Sequence, residues 1–280
     1  MLRAYEQIRR MRGGAQSHLM RCSDGHYYVV KFQNNPQHKR ILVNELLGTR
    51  LARRLGLPTP QVAVVEVSEE LIRWTEELRI ELPRSRVPCV AGRQFASRYP
   101  GDPRYVAAFD FLPDEQLRRV KNLYHFAGML VFDKWTCNTN GRQTLFFRSR
   151  EAEEQNVRDT GAGANDAEPY ATVMIDQGFC FNAGEWNFPD APLRGLYARN
   201  RVYEGVTGME SFEPWLKHLE NASSDQALRE ILDEIPPEWY DDDYDRLANL
   251  VEQLRKRRTR VPDLILEAKR SNRQPFPNWM

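Results

Sequence analysis

The sequence predicts an α+β fold in two lobes: a small β-rich N-terminal lobe over residues 1–100 and a larger, mainly helical lobe over 101–280. Three observations carry this. β-Formers concentrate early, in Tyr27-Tyr28-Val29-Val30-Lys31-Phe32 and Gln61-Val62-Ala63-Val64-Val65-Glu66-Val67. Apolar residues recur at helical spacing from residue 115 onward, most clearly at Tyr244, Leu247, Leu250, Val251 and Leu254. Two apolar runs, Leu130-Val131-Phe132-Asp133 and Met174-Ile175-Asp176, each end on a carboxylate.

The totals narrow the class. A chain of 280 residues with 41% hydrophobic and 11% aromatic content can bury a sizeable core. A net charge of +1 gives no overall pull toward nucleic acid or membrane. Residues 1–14 are basic without an apolar centre, unlike a signal peptide, and no apolar run approaches the ~20 residues that span a bilayer. The expected location is the cytoplasm. Cys22, Cys89, Cys137 and Cys180 are scattered, which signals neither a zinc site nor a disulfide framework.

In chain order, residues 2–11 form a short strand or helix and lead into Gly13-Gly14-Ala15-Gln16-Ser17-His18. A hairpin follows, turning at Ser23-Asp24-Gly25; glycines just before it would let backbone N–H groups approach a phosphate. Residues 39–55 make a helix stopped by Gly56 and Pro58, with Glu45 on it. Residues 71–80 read as a short helix or a strand pair, and the chain crosses between lobes somewhere in 90–111. A helix over 115–130 delivers Asp133 into the following loop. Residues 143–147 and 171–175 pair as a hairpin, and the polar stretch 149–168 between them reads as a mobile, dispensable loop. Helices close the chain at 212–219, 225–232, 241–258 and 262–269, the third behind a cap-like Asp241-Asp242-Asp243. Arg255-Lys256-Arg257-Arg258 reads as a solvated basic end of that helix.

An upstream strand lysine, then Asp, Asn and Asp in that order, are the groups that phosphoryl transfer from a magnesium nucleotide uses. In that reading Lys31 neutralises phosphate oxygens and is held extended by Glu45. Asn138 and Asp176 hold the metal, and Asp133 orients the attacking hydroxyl.

These residues resemble the HipA family of bacterial atypical serine/threonine kinases. The resemblance rests on Gly14-Ala15-Gln16, Lys31, Asn44-Glu45, the Gly56-Leu57-Pro58 helix exit, Asp133 with Asn138 five positions on, and Asp176-Gln177-Gly178. It covers residues 12–180 and implies a two-lobed protein-kinase-like fold with ATP and Mg2+ as cofactors. It implies Asp133 as catalytic aspartate, Lys31 as phosphate-binding lysine, Asn138 and Asp176 as metal ligands, and Gly13, Gly14, Ala15, Gln16, Ser17 and His18 as the nucleotide-covering loop. The chain departs from the pattern at His18, at Lys134-Trp135 and at Gln177. Its nucleotide loop starts so early that the N-terminal subdomain of full-length HipA toxins is expected to be missing. The expected partners are ATP and a hydroxyl-bearing substrate, a Ser or Thr of a protein. A kinase-like binding module with little or no transfer, and nucleotidyl transfer on the same scaffold, stay open as alternatives.

Overall fold

The protein is described from a computed structural model, which defines residues 1–148 and 170–280; the loop expected at 149–168 lies outside the described residues. Five strands close into a barrel in the order β1 (Leu2–Arg10), β2 (His18–Cys22), β3 (Tyr27–Lys31), β7 (Gly92–Arg98), β4 (Val62–Val67), with β1 returning parallel to β4. Between β3 and β4 runs α1 (Ile41–Arg54). Between β4 and β7 lie α2 (Glu69–Trp74) and a small hairpin of β5 (Arg79–Leu82) with β6 (Ser85–Pro88). The helix-or-hairpin alternative for 71–80 resolves as one after the other. The first residues are a strand, and the Gly13-Gly14 loop is the turn from β1 to β2.

Alternation along β3 shows how the barrel serves two surfaces. Tyr28 and Val30 point into the barrel core, while Val29 and Lys31 point out into a cleft. Their neighbour β7 repeats the pattern and sends Phe95 and Ser97 to the same cleft.

Below the barrel the chain forms a three-stranded sheet of β8 (Ala108–Phe109), β9 (Gln143–Arg148) and β10 (Tyr170–Ile175). The β9–β10 hairpin pairs Gln143 with Ile175, as the apolar runs predict. The expected 115–130 helix is displaced. A short α3 (Asp114–Leu117) is followed by α4 (His125–Trp135), so Asp133 stands inside the last turn of a helix and not in the loop beyond it. Every residue of α4 from Phe126 to Trp135 is buried, so the helix is apolar on most sides and its sequence reads as a strand-like run. Its neighbours fit closely: a Cβ on Gly128 would fall 2.3 Å from the Trp215 ring, and Trp135 Nε1 donates to the Leu254 carbonyl at 2.9 Å.

Around α4 pack α5 (Glu213–Ala222), α6 (Asp225–Leu232), α7 (Tyr244–Arg257) and α8 (Val261–Arg270), close to the predicted spans. Asp243 is the cap of α7, accepting from the Arg246 amide at 3.1 Å. The basic end of α7 is not uniformly solvated. Arg257 is buried and donates to the carbonyls of Lys134 (2.9 Å) and Phe188 (2.8 Å), bracing the 188–190 segment against α4. Among the described residues no helix is long and apolar enough to cross a membrane.

Candidate active site

The barrel and the lower sheet face each other across a cleft of ≈ 990 Å³. Its walls come from alternating strand residues. Val29 and Phe95 line the barrel side; Leu145, Phe147, Val173 and Ile175 line the other, giving apolar walls against which a planar ring could pack. Tyr99, Pro100 and Gly101, just after β7, also line it, and they mark the crossing between lobes that the sequence left unplaced.

At one end the slot turns polar. Lys31 Nζ donates to Asp176 Oδ1 at 2.8 Å and to Glu45 Oε1 in a shorter contact. Glu45 is also an acceptor for the amides of Gln177 and Gly178, each at 3.0 Å, so the α1 glutamate holds both the lysine and the turn after Asp176. Its neighbour Asn44 anchors the same turn: Nδ2 lies 2.8–3.0 Å from the carbonyls of Gly178, Cys180 and Ala183, and Oδ1 accepts from Trp186 Nε1 at 2.9 Å. The Asn-Glu pair therefore fastens the helix of one lobe to the loop of the other.

Two carboxylates share one ammonium here. Burial disfavours the Lys31 charge, but Glu45 and Asp176 outweigh it and hold its pKa above the ordinary lysine value. Burial raises the Glu45 carboxyl against the pull of Lys31. At Asp176 burial also works upward, but the Lys31 charge and hydrogen bond leave its pKa below the usual carboxylate value. Asp176 thus remains the ionised, partly exposed carboxylate at the cleft's polar end.

Gly13, Gly14, Ala15 and Ser17 of the β1–β2 turn line the cleft. Gly13 adopts φ +116°, a conformation that favours glycine, and a Cβ on Gly14 would fall 2.9 Å from the Gln37 amide nitrogen. Gln16 and His18 are placed differently from the expectation. The Gln16 side chain turns to β5, accepting from the Glu81 amide at 2.7 Å and donating to its carbonyl at 2.8 Å, as a strand neighbour would. His18 is fully buried inside the barrel, edge-on to Phe32 with ring centroids 5.7 Å apart. Both support the loop without facing the cleft.

Asp133 and Asn138 also stand back from the cleft. Both are buried, and Asn138 Nδ2 donates to Asp133 Oδ1 at 2.9 Å while Asn138 Oδ1 accepts from the Asn140 amide at 3.1 Å. Arg142 covers the rest of the carboxylate: Nε donates to Asp133 Oδ2 at 2.9 Å and Nη2 to Oδ1 in a shorter contact. Asp133 therefore has no face open to a hydroxyl, and the Asn138 amide is spent on neighbours. The polar side chains from this loop and the start of β9 that do line the cleft are Asn140 and Gln143. Neither Arg142 nor Asn140 was singled out from the sequence. The signal was weak: an asparagine and an arginine in a loop are ordinary turn and surface residues.

The donor set fits magnesium in one mode. Among the described residues no cluster of three or more His, Cys, Asp or Glu forms a cage. Nucleotide-borne magnesium needs only one or two carboxylates, with phosphates and water completing the octahedron. Asp176 offers such a carboxylate, and Asn140 and Gln143 line the same cleft; Asn138 as placed does not fit.

A barrel over a sheet-and-helix lobe, with a strand lysine, helix glutamate and post-strand aspartate meeting between them, is a kinase-like fold. One solved structure supports the fold. The chain is similar to the proinflammatory kinase CtkA of Helicobacter pylori, with TM-score 0.54 and 12% identity over 91% of this chain and 94% of that one. It is more distantly similar to the Golgi casein kinase (TM-score 0.48, 12% identity, 98% and 74% covered) and to hydra Fam20 (0.48, 10%, 97% and 85%). No curated protein matches the sequence. The HipA-like kinase model matches residues 5–150, more than half of the chain, and the protein belongs to that family.

Proposed function

We propose that the cleft binds Mg2+–ATP and that the protein transfers the γ-phosphate to a hydroxyl, that of a Ser or Thr in a protein. The observation that supports this most is Lys31 held between Glu45 and Asp176 at the polar end of an apolar slot. The slot takes the base, the β1–β2 turn offers backbone N–H groups to phosphates, and Lys31 neutralises phosphate oxygens. Asp176 would hold the metal, whose part is to bridge and neutralise phosphate oxygens.

The burial of Asp133 favours a second reading, a kinase-like nucleotide-binding module that transfers slowly. Asn140 lines the same cleft, and an amide can orient a hydroxyl but takes up its proton poorly. Incubation with γ-labelled or, separately, α-labelled ATP, Mg2+ and a Ser/Thr peptide library, beside calorimetric ATP binding, separates the readings. Label on Ser or Thr that Asn140→Asp does not increase supports the kinase. ATP binding with little label, rising on Asn140→Asp, supports the module. Transfer of α-label would mean nucleotidyl transfer, and failure to bind ATP would sink all three.

A further inference from the structure

Asp133 and Arg142 form an ion pair whose side chains are 0% and 1% exposed. Such a pair adds little net stability over an apolar one, so its placement calls for another reason. Arg142 uses Nε and Nη2 on Asp133, which leaves Nη1 aimed elsewhere: to the Ile175 carbonyl at 2.8 Å and to Gln177 Oε1 at 2.7 Å. Those are the residues on either side of Asp176. Asp176 itself sits at φ +62°, a left-handed backbone that aspartate visits more readily than most residues but that still gains from surroundings that hold it. The hold is two-sided. Arg142 grips the carbonyl entering the turn, and Glu45 grips the amides leaving it. The fork cannot rotate away, because Asn138 fills the remaining side of Asp133 and Gly195 lies against it; a Cβ on Gly195 would fall 2.4 Å from the Asp133 Cβ. Lys134, the next residue along, donates to the carbonyls of Pro192 (2.6 Å) and Arg194 and so ties down the segment that carries Gly195.

The geometry points to Asp133 and Arg142 as positioning residues: a buried fork that sets the Asp176 carboxylate for a metal–nucleotide, with Asp133 acting through Arg142 and touching neither substrate nor nucleotide. This rests on the proposal that Asp176 receives the metal of a bound nucleotide.

The test uses calorimetric binding of ATP with Mn2+ and of ATP in EDTA, alongside unfolding curves. Asp133→Leu combined with Arg142→Met removes both charges together, so that no unpaired buried ion remains. The double variant should fold, bind ATP in EDTA within about threefold of the parent, and lose tenfold or more in affinity for Mn2+–ATP, the scale on which outer-shell partners act. Gln177→Leu removes one Arg142 acceptor, leaves the ion pair intact and should show the same selective loss at about threefold or more, which keeps the test open if the double variant does not fold. Equal losses with and without metal, or none, would overturn the positioning role if Asp176→Asn still lowers Mn2+–ATP affinity selectively. If Asp176→Asn has no effect, the underlying metal–nucleotide reading fails and takes this inference with it.

Discussion

Ion pairs do different work in two places in this molecule. The buried fork of Asp133 and Arg142 is inside the lower lobe, sealed by Asn138 and Gly195. A second set runs along the outside. Arg54, Arg50, Arg93 and Lys39 of the barrel lobe meet Glu230, Glu234, Glu238 and Asp241 of the helical lobe, at 2.5–2.7 Å. Chemically the pairs are alike. The outer ones are open to water, with Glu234 and Glu230 side chains 43% and 52% exposed, so solvent screens them and either partner can leave at little cost. The inner pair has no water to replace a lost partner. Burial therefore makes it a device for fixing geometry, while the outer row only biases how the lobes sit together.

The sharpest break of this comparison is Arg142→Gln alone. It strands Asp133 as a buried carboxylate without a cation and should cost about 3–5 kcal/mol in denaturant unfolding, most of which the Leu/Met double variant restores. A loss below ~1 kcal/mol would mean that Asp133 finds water or another cation, and the contrast with the outer row would disappear.

A second probe of burial is His18. Buried in the barrel and near the Arg10 charge, it has its pKa lowered from 6.5 to about 4. Between those values the unfolded chain binds the proton and the folded chain does not, so stability rises with pH from 4 to 6.5 and is lost as pH falls through that window. The loss reaches up to about 3 kcal/mol. Melting curves of the parent and of His18→Gln across pH 4–7 should diverge in slope, the variant being flatter. Parallel curves would show that His18 charges freely in the folded state.

The smallest expected effect lies in the outer row. Glu230→Gln, Glu234→Gln and Glu238→Gln together should lower the unfolding midpoint only slightly at low salt, with the bidentate Arg93–Glu238 pair contributing most. In roughly 1 M salt, where the Debye length is ~3 Å, the difference from the parent should nearly vanish. A loss that persists in high salt would place these pairs with the buried fork.

Much of the fold was open to reading along the chain, because strands and amphipathic helices advertise their period. The β2–β3 hairpin, α1, the β9–β10 hairpin and α7 all follow from alternation or helical spacing, and Lys31, Glu45 and Asp176 follow from where they stand on those elements. The helix that ends at Trp135 was misplaced for the complementary reason. An element buried on all sides has no polar face to set its phase, and its apolar run mimics a strand.

The sequence by itself determined the kinase-like order of elements and the residues that flank the cleft, since these depend on local periodicity and chain order. Tertiary structure alone decided which carboxylate faces the cleft. Asp133 and Asp176 each end an apolar run and are indistinguishable in that pattern. Asp133 falls on the inner face of a buried helix, where Arg142, nine residues on, folds back to neutralise it. Asp176 falls past the end of a strand, on a left-handed turn that points it toward Lys31, 145 residues away in the chain. The direction of each side chain is set by packing partners distant in sequence, and no local pattern encodes it.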